Sequence, residues 1–143
     1  MPSLAYLKGE GDWNFVPLPV HGHGIPCSYV FQTPGNVAAG TTITVEATAT
    51  KGTVVVYAGT DSHLRSSHAR AMTLDVMRNA RGSFDFEIST ASVLYIGVDP
   101  GPADAECKFK YTAKDGVAPM TTSAVTVIII IGIYGGLYNA SSN

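Results

Sequence analysis

The sequence contains few charged residues, and its C-terminal end has none at all. Charged side chains make up 14% of the 143 residues, against roughly 25% in a typical soluble domain. Residues 116–143 contain no Asp, Glu, Lys or Arg, and leaving so apolar a stretch in water is unfavourable, which predicts a membrane location for it. The net charge of −2 offers no basic surface to a phosphate backbone and excludes a nucleic-acid partner.

The sequence also lacks the motifs of the common enzyme chemistries. It has no G-x-S-x-G nucleophile elbow, no phosphate-binding loop, no H-E-x-x-H zinc motif and no paired acidic residues. Asp61, Ser62 and His63 are triad residue types, but three adjacent residues on one loop cannot form a nucleophile–base–orienter arrangement. We therefore predict that the protein is not an enzyme, that it needs no cofactor and that it has no small-molecule substrate.

Cysteine is rare, and the two that occur form neither a C-x-x-C pair nor a zinc pattern. Cys27 and Cys107 are each in phase with the aromatic residues of a predicted strand, so both thiols are expected to face the core. If the two strands are neighbours, a disulfide would close a long loop and stabilise the fold by roughly 4 kcal/mol in the chain-entropy model. Two buried reduced thiols are the alternative.

Histidines and arginines suggest two weaker hypotheses. His21 and His23 lie on one face of the chain if the segment is extended, and they could bind copper or zinc with His63 or His68 as a further ligand. The spacing fits no established metal motif, so we favour a glycine-rich loop with exposed histidines and no metal. Four arginines in the middle of the chain could contact lipid head groups or an acidic partner, but a solvated surface is favoured; they are Arg65, Arg70, Arg78 and Arg81.

Alternating hydrophobicity is the strongest pattern that the sequence does contain. Residues 41–50 alternate apolar with polar side chains, and residues 54–57 and 93–98 are apolar on both faces, as in central strands. About seven short strands at roughly 10-residue spacing predict an all-β antiparallel sandwich over residues 27–113. Residues 1–26 contain several prolines and glycines and predict an irregular N-terminal arm.

Five segments of this region match the strands of a known domain family. They are Tyr29-Val-Phe31, Ala39-Gly-Thr-Thr-Ile-Thr-Val45, Val54-Val-Val-Tyr57, Leu94-Tyr-Ile-Gly-Val98 and Phe109-Lys-Tyr111. Through them, residues 28–112 resemble the bacterial pre-peptidase C-terminal (PPC) domain, a small β-sandwich. The chain departs from the family at Lys51-Gly-Thr-Val54, where an Asp-x-Asp-Leu sequence is usual. The resemblance implies a non-catalytic accessory module and supplies no site residues.

The uncharged end predicts one transmembrane helix. Residues 114–119 read as a linker, and residues 120–138 would form a helix of roughly 28 Å, close to the roughly 30 Å of a hydrocarbon core. Gly132 and Gly136 form a G-x-x-x-G pair that lets a second helix approach closely. A buried strand at residues 125–131 is the alternative, because these residues are rich in β-branched side chains. Residues 139–143 form a short tail.

Together these patterns predict a non-catalytic, single-pass membrane protein that acts as a structural or accessory subunit of a larger membrane complex. Its partners would be the membrane and other transmembrane subunits. The first residues lack the basic and apolar regions of a secretory signal, so an organellar (mitochondrial or thylakoid) or other internal membrane is favoured over the cell surface. The side of the membrane that carries the domain is left open. The alternatives are a cell-surface or luminal module that binds glycan or protein through residues 58–70, and a small copper or zinc carrier.

Overall fold

The computed structural model of the chain describes residues 3–19 and 28–115. These residues form two β-sheets packed face to face, which confirms the all-β sandwich. One sheet has five strands in the order β1-β3-β8-β5-β6, and the other has four in the order β2-β9-β4-β7. The strands are β1 Ser3–Tyr6, β2 Asn14–Leu18, β3 Tyr29–Gln32, β4 Thr42–Lys51, β5 Thr53–Gly59, β6 Arg70–Asp75, β7 Arg81–Glu87, β8 Tyr95–Pro100 and β9 Ala105–Lys114.

The core between the sheets is built from the apolar side of each alternating strand. Ile43, Val45 and Ala47 of β4 are at most 1% exposed, and Phe109 of β9 is fully buried. Its ring packs on Phe31 of β3, with the ring centroids 5.1 Å apart, and this contact joins the two sheets. Each such aliphatic or aromatic side chain contributes roughly 1.5–3 kcal/mol through burial.

The two segments that are apolar on both faces, residues 54–57 and 93–98, lie in central strands, as predicted. β5 lies between β8 and β6, and β8 lies between β3 and β5. Both neighbours of each strand are antiparallel. A strand with partners on both edges in a sheet that is covered on both faces can be apolar throughout, which explains why neither strand alternates.

The prediction of an irregular N-terminal arm over residues 1–26 is wrong for two segments, β1 and β2. β2 is an edge strand beside β9, where Pro17 is tolerated because the outer edge needs no N–H donor. Val16 and Leu18 are buried while Phe15 and Pro17 point outward. β1 pairs in parallel with β3, so the sandwich is mixed rather than purely antiparallel, and it starts at Ser3 instead of residue 27.

Gly52 forms the turn between β4 and β5. Its φ is +66°, and a Cβ there would lie 2.6 Å from the Asp104 carbonyl oxygen, so a side chain would be both strained and blocked. Next to this turn, Lys51 pairs with Glu106 at the start of β9, whereas Thr42 pairs with Lys114 at its end. The chain therefore leaves the sandwich at the end opposite the Gly52 turn.

The predicted transmembrane helix at residues 120–138 and the short tail after it lie outside the described residues, as does most of the linker. Within residues 3–19 and 28–115, no helix has the length and apolar character needed to cross a bilayer.

Candidate ligand-binding face

The outer face of the four-stranded sheet carries mainly polar side chains, and no loop in the described part of the chain covers it. Lys108 of β9, Thr48 of β4 and Arg81 of β7 are direct cross-strand neighbours and form one row across it. The adjacent row consists of Lys110, Glu46 and Ser83. Because neighbouring strands lie about 4.8 Å apart, the backbones at Lys108 and Arg81 are separated by roughly 10 Å. Two cations thus stand on either side of a threonine hydroxyl.

Trp13 is positioned over this face by its buried neighbour Asn14. The Asn14 Nδ2 donates to the Phe109 carbonyl at 3.3 Å, and its Oδ1 accepts the backbone N–H of Lys8 at 3.0 Å. These bonds fix the start of β2 beside β9, so Trp13 stands on the outer side. The Nζ atoms of Lys108 and Lys110 lie 4.5 and 4.7 Å from the centre of its ring, within cation–π range.

These residues enclose an open groove of about 490 Å³. Lys110 pairs with Glu46 at 3.6 Å, but within the described part of the chain neither Lys108 nor Arg81 has a carboxylate within 4.0 Å. The groove therefore combines an aromatic wall, hydroxyl groups and two cations that have no ion-pair partner among the described residues. The side chains that line it and carry these groups are Trp13, Glu46, Thr48, Arg81, Ser83 and Lys108.

The outer face of the five-stranded sheet is covered instead by residues 60–69, the loop between β5 and β6. Leu64 from this loop is 2% exposed and forms a second small core with Val30 and Tyr57. Gly97 of β8 leaves the space for it, because a Cβ there would lie 2.8 Å from Tyr57 Cε2 and 3.0 Å from Leu64 Cδ2. The loop is thus part of the packed structure.

An ion pair between Arg65 and Asp99 holds the same loop to β8. Arg65 Nε and Nη2 lie 2.9 and 2.7 Å from Asp99 Oδ2, and this carboxylate raises the pKa of Arg65. Burial, and secondarily Asp99, raises the pKa of Tyr57. The Tyr57 hydroxyl lies near Asp99 and Arg65 without a well-formed hydrogen bond to either. The raised pKa values keep Arg65 charged and Tyr57 neutral near pH 7. The Arg65–Asp99 pair therefore acts as a clamp between the loop and β8.

The histidines predicted as metal ligands are not brought together in the described residues. His21 and His23 lie outside them. His63 is exposed beside Asp61, with 3.4 Å between Nδ1 and Oδ1, whereas the His68 ring lies against Tyr57 at 5.7 Å and hydrogen-bonds the Leu64 carbonyl. Residues 3–19 and 28–115 contain no group of three or more His, Cys, Asp or Glu that could bind a metal.

The predicted disulfide between Cys27 and Cys107 finds no support. Cys107 is a buried free thiol on the inner face of β9, and burial raises its pKa to about 12. Its neighbours across the sheet are Val16 and Ala49. Cys27 lies outside the described residues, but β3, which follows it, belongs to the opposite sheet. The bridge was predicted on the condition that the first and last predicted strands are neighbours. These strands, β3 and β9, are not paired in one sheet. Gly132 and Gly136 also lie outside the described residues.

Sequence reasoning found neither the groove nor a role for Trp13. One signal was available, since Lys108 and Lys110 alternate with Cys107 and Phe109 and so share the outer side of their strand. Nothing local places Trp13 or Arg81 beside them, because the pairings join distant parts of the chain.

No protein-family model and no curated protein match the sequence. Among solved structures, the chain is similar to the pre-peptidase C-terminal domain of a collagenase from Bacillus anthracis, with a TM-score of 0.53, 15% identity, and coverage of 78% of this chain and 98% of that one. It is also similar to PliG from Aeromonas hydrophila, a periplasmic inhibitor of g-type lysozyme, with a TM-score of 0.52, 9% identity, and coverage of 80% and 100%. At these identities the likeness is one of fold, and it supports the resemblance to the PPC sandwich inferred from the sequence.

Proposed function

We propose that the protein is a non-catalytic β-sandwich module that binds its ligand in the groove beside Trp13 and is held at a membrane by residues 120–138. The observation that carries the binding function is the uncovered face of the four-stranded sheet, where Trp13, Lys108 and Arg81 surround one groove. A partly buried aromatic ring beside cations that have no ion-pair partner among the described residues is typical of a ligand-binding site.

The construction of the groove favours binding. Lys108, Thr48 and Arg81 are all carried by paired strands whose inner sides form the core, so their positions are set by the sheet. Sites carried on strands hold their geometry better than sites on loops, and a preformed site loses less conformational entropy when it binds. A solved structure of similar fold, PliG, is itself an inhibitor of another protein, and this is consistent with a binding role for the fold.

The chemistry of the groove is poorly suited to catalysis. Among the residues that the structure describes, its lining contains no histidine and no cysteine, and the one carboxylate, Glu46, is paired with Lys110. The Thr48 and Ser83 hydroxyls therefore lack a free base that could activate them. Hydroxyls without such a base serve as hydrogen-bond donors and acceptors.

The binding function can be tested with the full chain in detergent micelles on arrays of glycans and proteins. Trp13→Ala is expected to weaken binding of the recovered ligand at least tenfold, because it removes the aromatic wall. Phe15→Ala is the matched control, since Phe15 lies two residues away, is 69% exposed and does not line the groove. A ligand that binds Trp13→Ala as well as the unaltered chain would contradict the proposal.

A role as accessory subunit of a membrane complex is proposed alongside, on the uncharged sequence of residues 116–143. Gly132 and Gly136 would face the partner helix. The test is affinity purification from native membranes followed by mass spectrometry, using the unaltered chain and a Gly132→Leu, Gly136→Leu double variant. Loss of the co-purifying membrane proteins from the double variant is expected, and a chain that purifies alone would contradict this role.

A further inference from the structure

We infer that the ligand of the Trp13 groove is a saccharide that carries an anionic group, a carboxylate or a sulfate. Its sugar ring would lie against Trp13, and its anion would lie between Lys108 and Arg81. This inference rests on the proposed binding function and adds the chemical class of the ligand.

The anionic character follows from the row of Lys108, Thr48 and Arg81. The two cations flank the Thr48 hydroxyl and have no carboxylate within 4.0 Å among the described residues, whereas Lys110 beside them is paired with Glu46. The next carboxylate along β9 on this face, Glu106, is hydrogen-bonded to Thr50 at 3.5 Å, on the side away from Glu46. An anion over Thr48 would contact both cations, and the guanidinium fork can bind a carboxylate or sulfate through two parallel hydrogen bonds.

The saccharide character follows from the rest of the lining. Trp13 presents an aromatic ring that Lys108 and Lys110 hold in place, and a sugar ring can pack its apolar C–H side on such a ring. Thr48, Ser83 and Glu46 add hydroxyl and carboxylate oxygens within the same groove, and these can accept hydrogen bonds from sugar hydroxyls. A volume of about 490 Å³ is within the roughly 300–1,000 Å³ of small-molecule sites. A ligand that has a sugar ring, hydroxyls and an anion can contact the aromatic ring, the oxygen atoms and the cations of the lining together.

Trp13 is the only tryptophan of the chain, so its fluorescence reports directly on the groove. The full chain in a sugar-free detergent would be titrated with tetragalacturonate, with its neutral methyl ester, with a sulfated galactose tetrasaccharide and with an oligoglutamate peptide. We expect at least one anionic saccharide to change the Trp13 emission and to bind at least tenfold more tightly than the neutral ester at low salt. The carboxylate and sulfate arms show which anion is preferred.

Variants separate this inference from the proposed function. Lys108→Gln and Arg81→Gln should each lower the affinity for the anionic saccharide at least tenfold and leave the affinity for the methyl ester unchanged. Arg78 is an exposed arginine outside the lining, so Arg78→Gln should change neither affinity. Equal affinity for the acid and the ester, or tighter binding of oligoglutamate than of any saccharide, would overturn the inference and leave a binding module intact. No response to any saccharide would also overturn it, and the Trp13→Ala array experiment then decides separately on the proposed function.

Discussion

The two outer faces of the sandwich differ in whether their outward side chains need to be shielded from water. On the five-stranded sheet, Val30 and Tyr57 point away from the main core and would be apolar surface if exposed, and the loop that carries Leu64 covers them. On the four-stranded sheet the outward positions of β4, β7 and β9 are threonines, Ser83 and charged residues, and apolar surface is added only beside them, by Trp13 and by Phe15 and Pro17 of β2. No loop in the described part of the chain covers this face. The outer side of the five-stranded sheet is therefore a closed face, and the outer side of the four-stranded sheet is an open face.

This difference separates stability from recognition. Residues of the closed face pack on one another and lose their contacts when altered, so changes there should act on folding. Residues of the open face are already solvated, so changes there should act on binding and leave the fold in place. Each of the following experiments tests this division.

Leu64→Ala should have the largest effect on the closed face. It removes a fully packed side chain and leaves a cavity under the loop, for which a loss of roughly 2–4 kcal/mol in the free energy of unfolding is expected. Denaturant unfolding of the full chain followed by far-UV circular dichroism measures this change. Phe15→Ala on the other sheet, where the ring is 69% exposed, should lose less than about 1 kcal/mol. Equal losses in the two variants would contradict the division.

Gly97→Ala should destabilise the same face by overpacking. The added methyl group would meet Tyr57 and Leu64 at 3.0 Å or less, and relief requires the loop to shift, which costs roughly 1–3 kcal/mol. Gly35→Ala serves as the control, because a Cβ at Gly35 has no heavy atom within 4 Å. A Gly97→Ala variant as stable as the unaltered chain would mean that the loop is loosely held.

Cys107 and Lys108 test whether the sheet separates the core from the open face. The unfolded thiol ionises near pH 9, whereas burial raises the folded pKa to about 12. Because the unfolded chain loses this proton first, stability should fall as pH rises through this window, by about 1 kcal/mol between pH 9 and 10. A Cys107→Ala variant should lack this part of the slope.

Chemical labelling tests the same separation between the core and the open face. At pH 8, the folded chain should acetylate at Lys108 while its Cys107 resists thiol reagents, and rapid labelling of Cys107 would contradict the burial.

Lys108→Gln should have the smallest effect on folding, within about 0.5 kcal/mol, because the ammonium group lies on the open face and only its contact with Trp13 is lost. Thermal unfolding compared with the unaltered chain measures it. A loss above about 2 kcal/mol would show that the Lys108–Trp13 contact belongs to the structural core and would remove the basis for an open binding face.

The sequence predicts most of this fold because strand alternation is local. The ten residues of β4 bury every second side chain, as their pattern predicts, and seven strands from β3 to β9 correspond to the predicted ones. β2 was missed because its proline suggested a break, and an edge position tolerates one. β1 was missed because its parallel pairing with β3 leaves no trace in its own four residues.

The candidate site could not be predicted in the same way, because it depends on contacts between distant residues. Trp13 and Lys108 meet only because β2 pairs with β9, and Arg81 joins them only through β4. Residues 58–70 were considered only as a binding segment, whereas the packing of residues 60–69 on the sheet depends on Gly97, a residue far along the chain. Resemblance to the PPC domain supplied the fold and no site.

The direction of β9 sets how far the groove stands from whatever follows the sandwich. Lys108 lies six positions before Lys114 on a strand that rises about 3.4 Å per residue, a separation of roughly 20 Å along the sheet. The Trp13 groove therefore lies near the Gly52 end of the sandwich, and whatever follows Lys114 starts from the opposite end. A ligand in the groove and the membrane anchor proposed for residues 120–138 would then be attached at different ends of the same sheet.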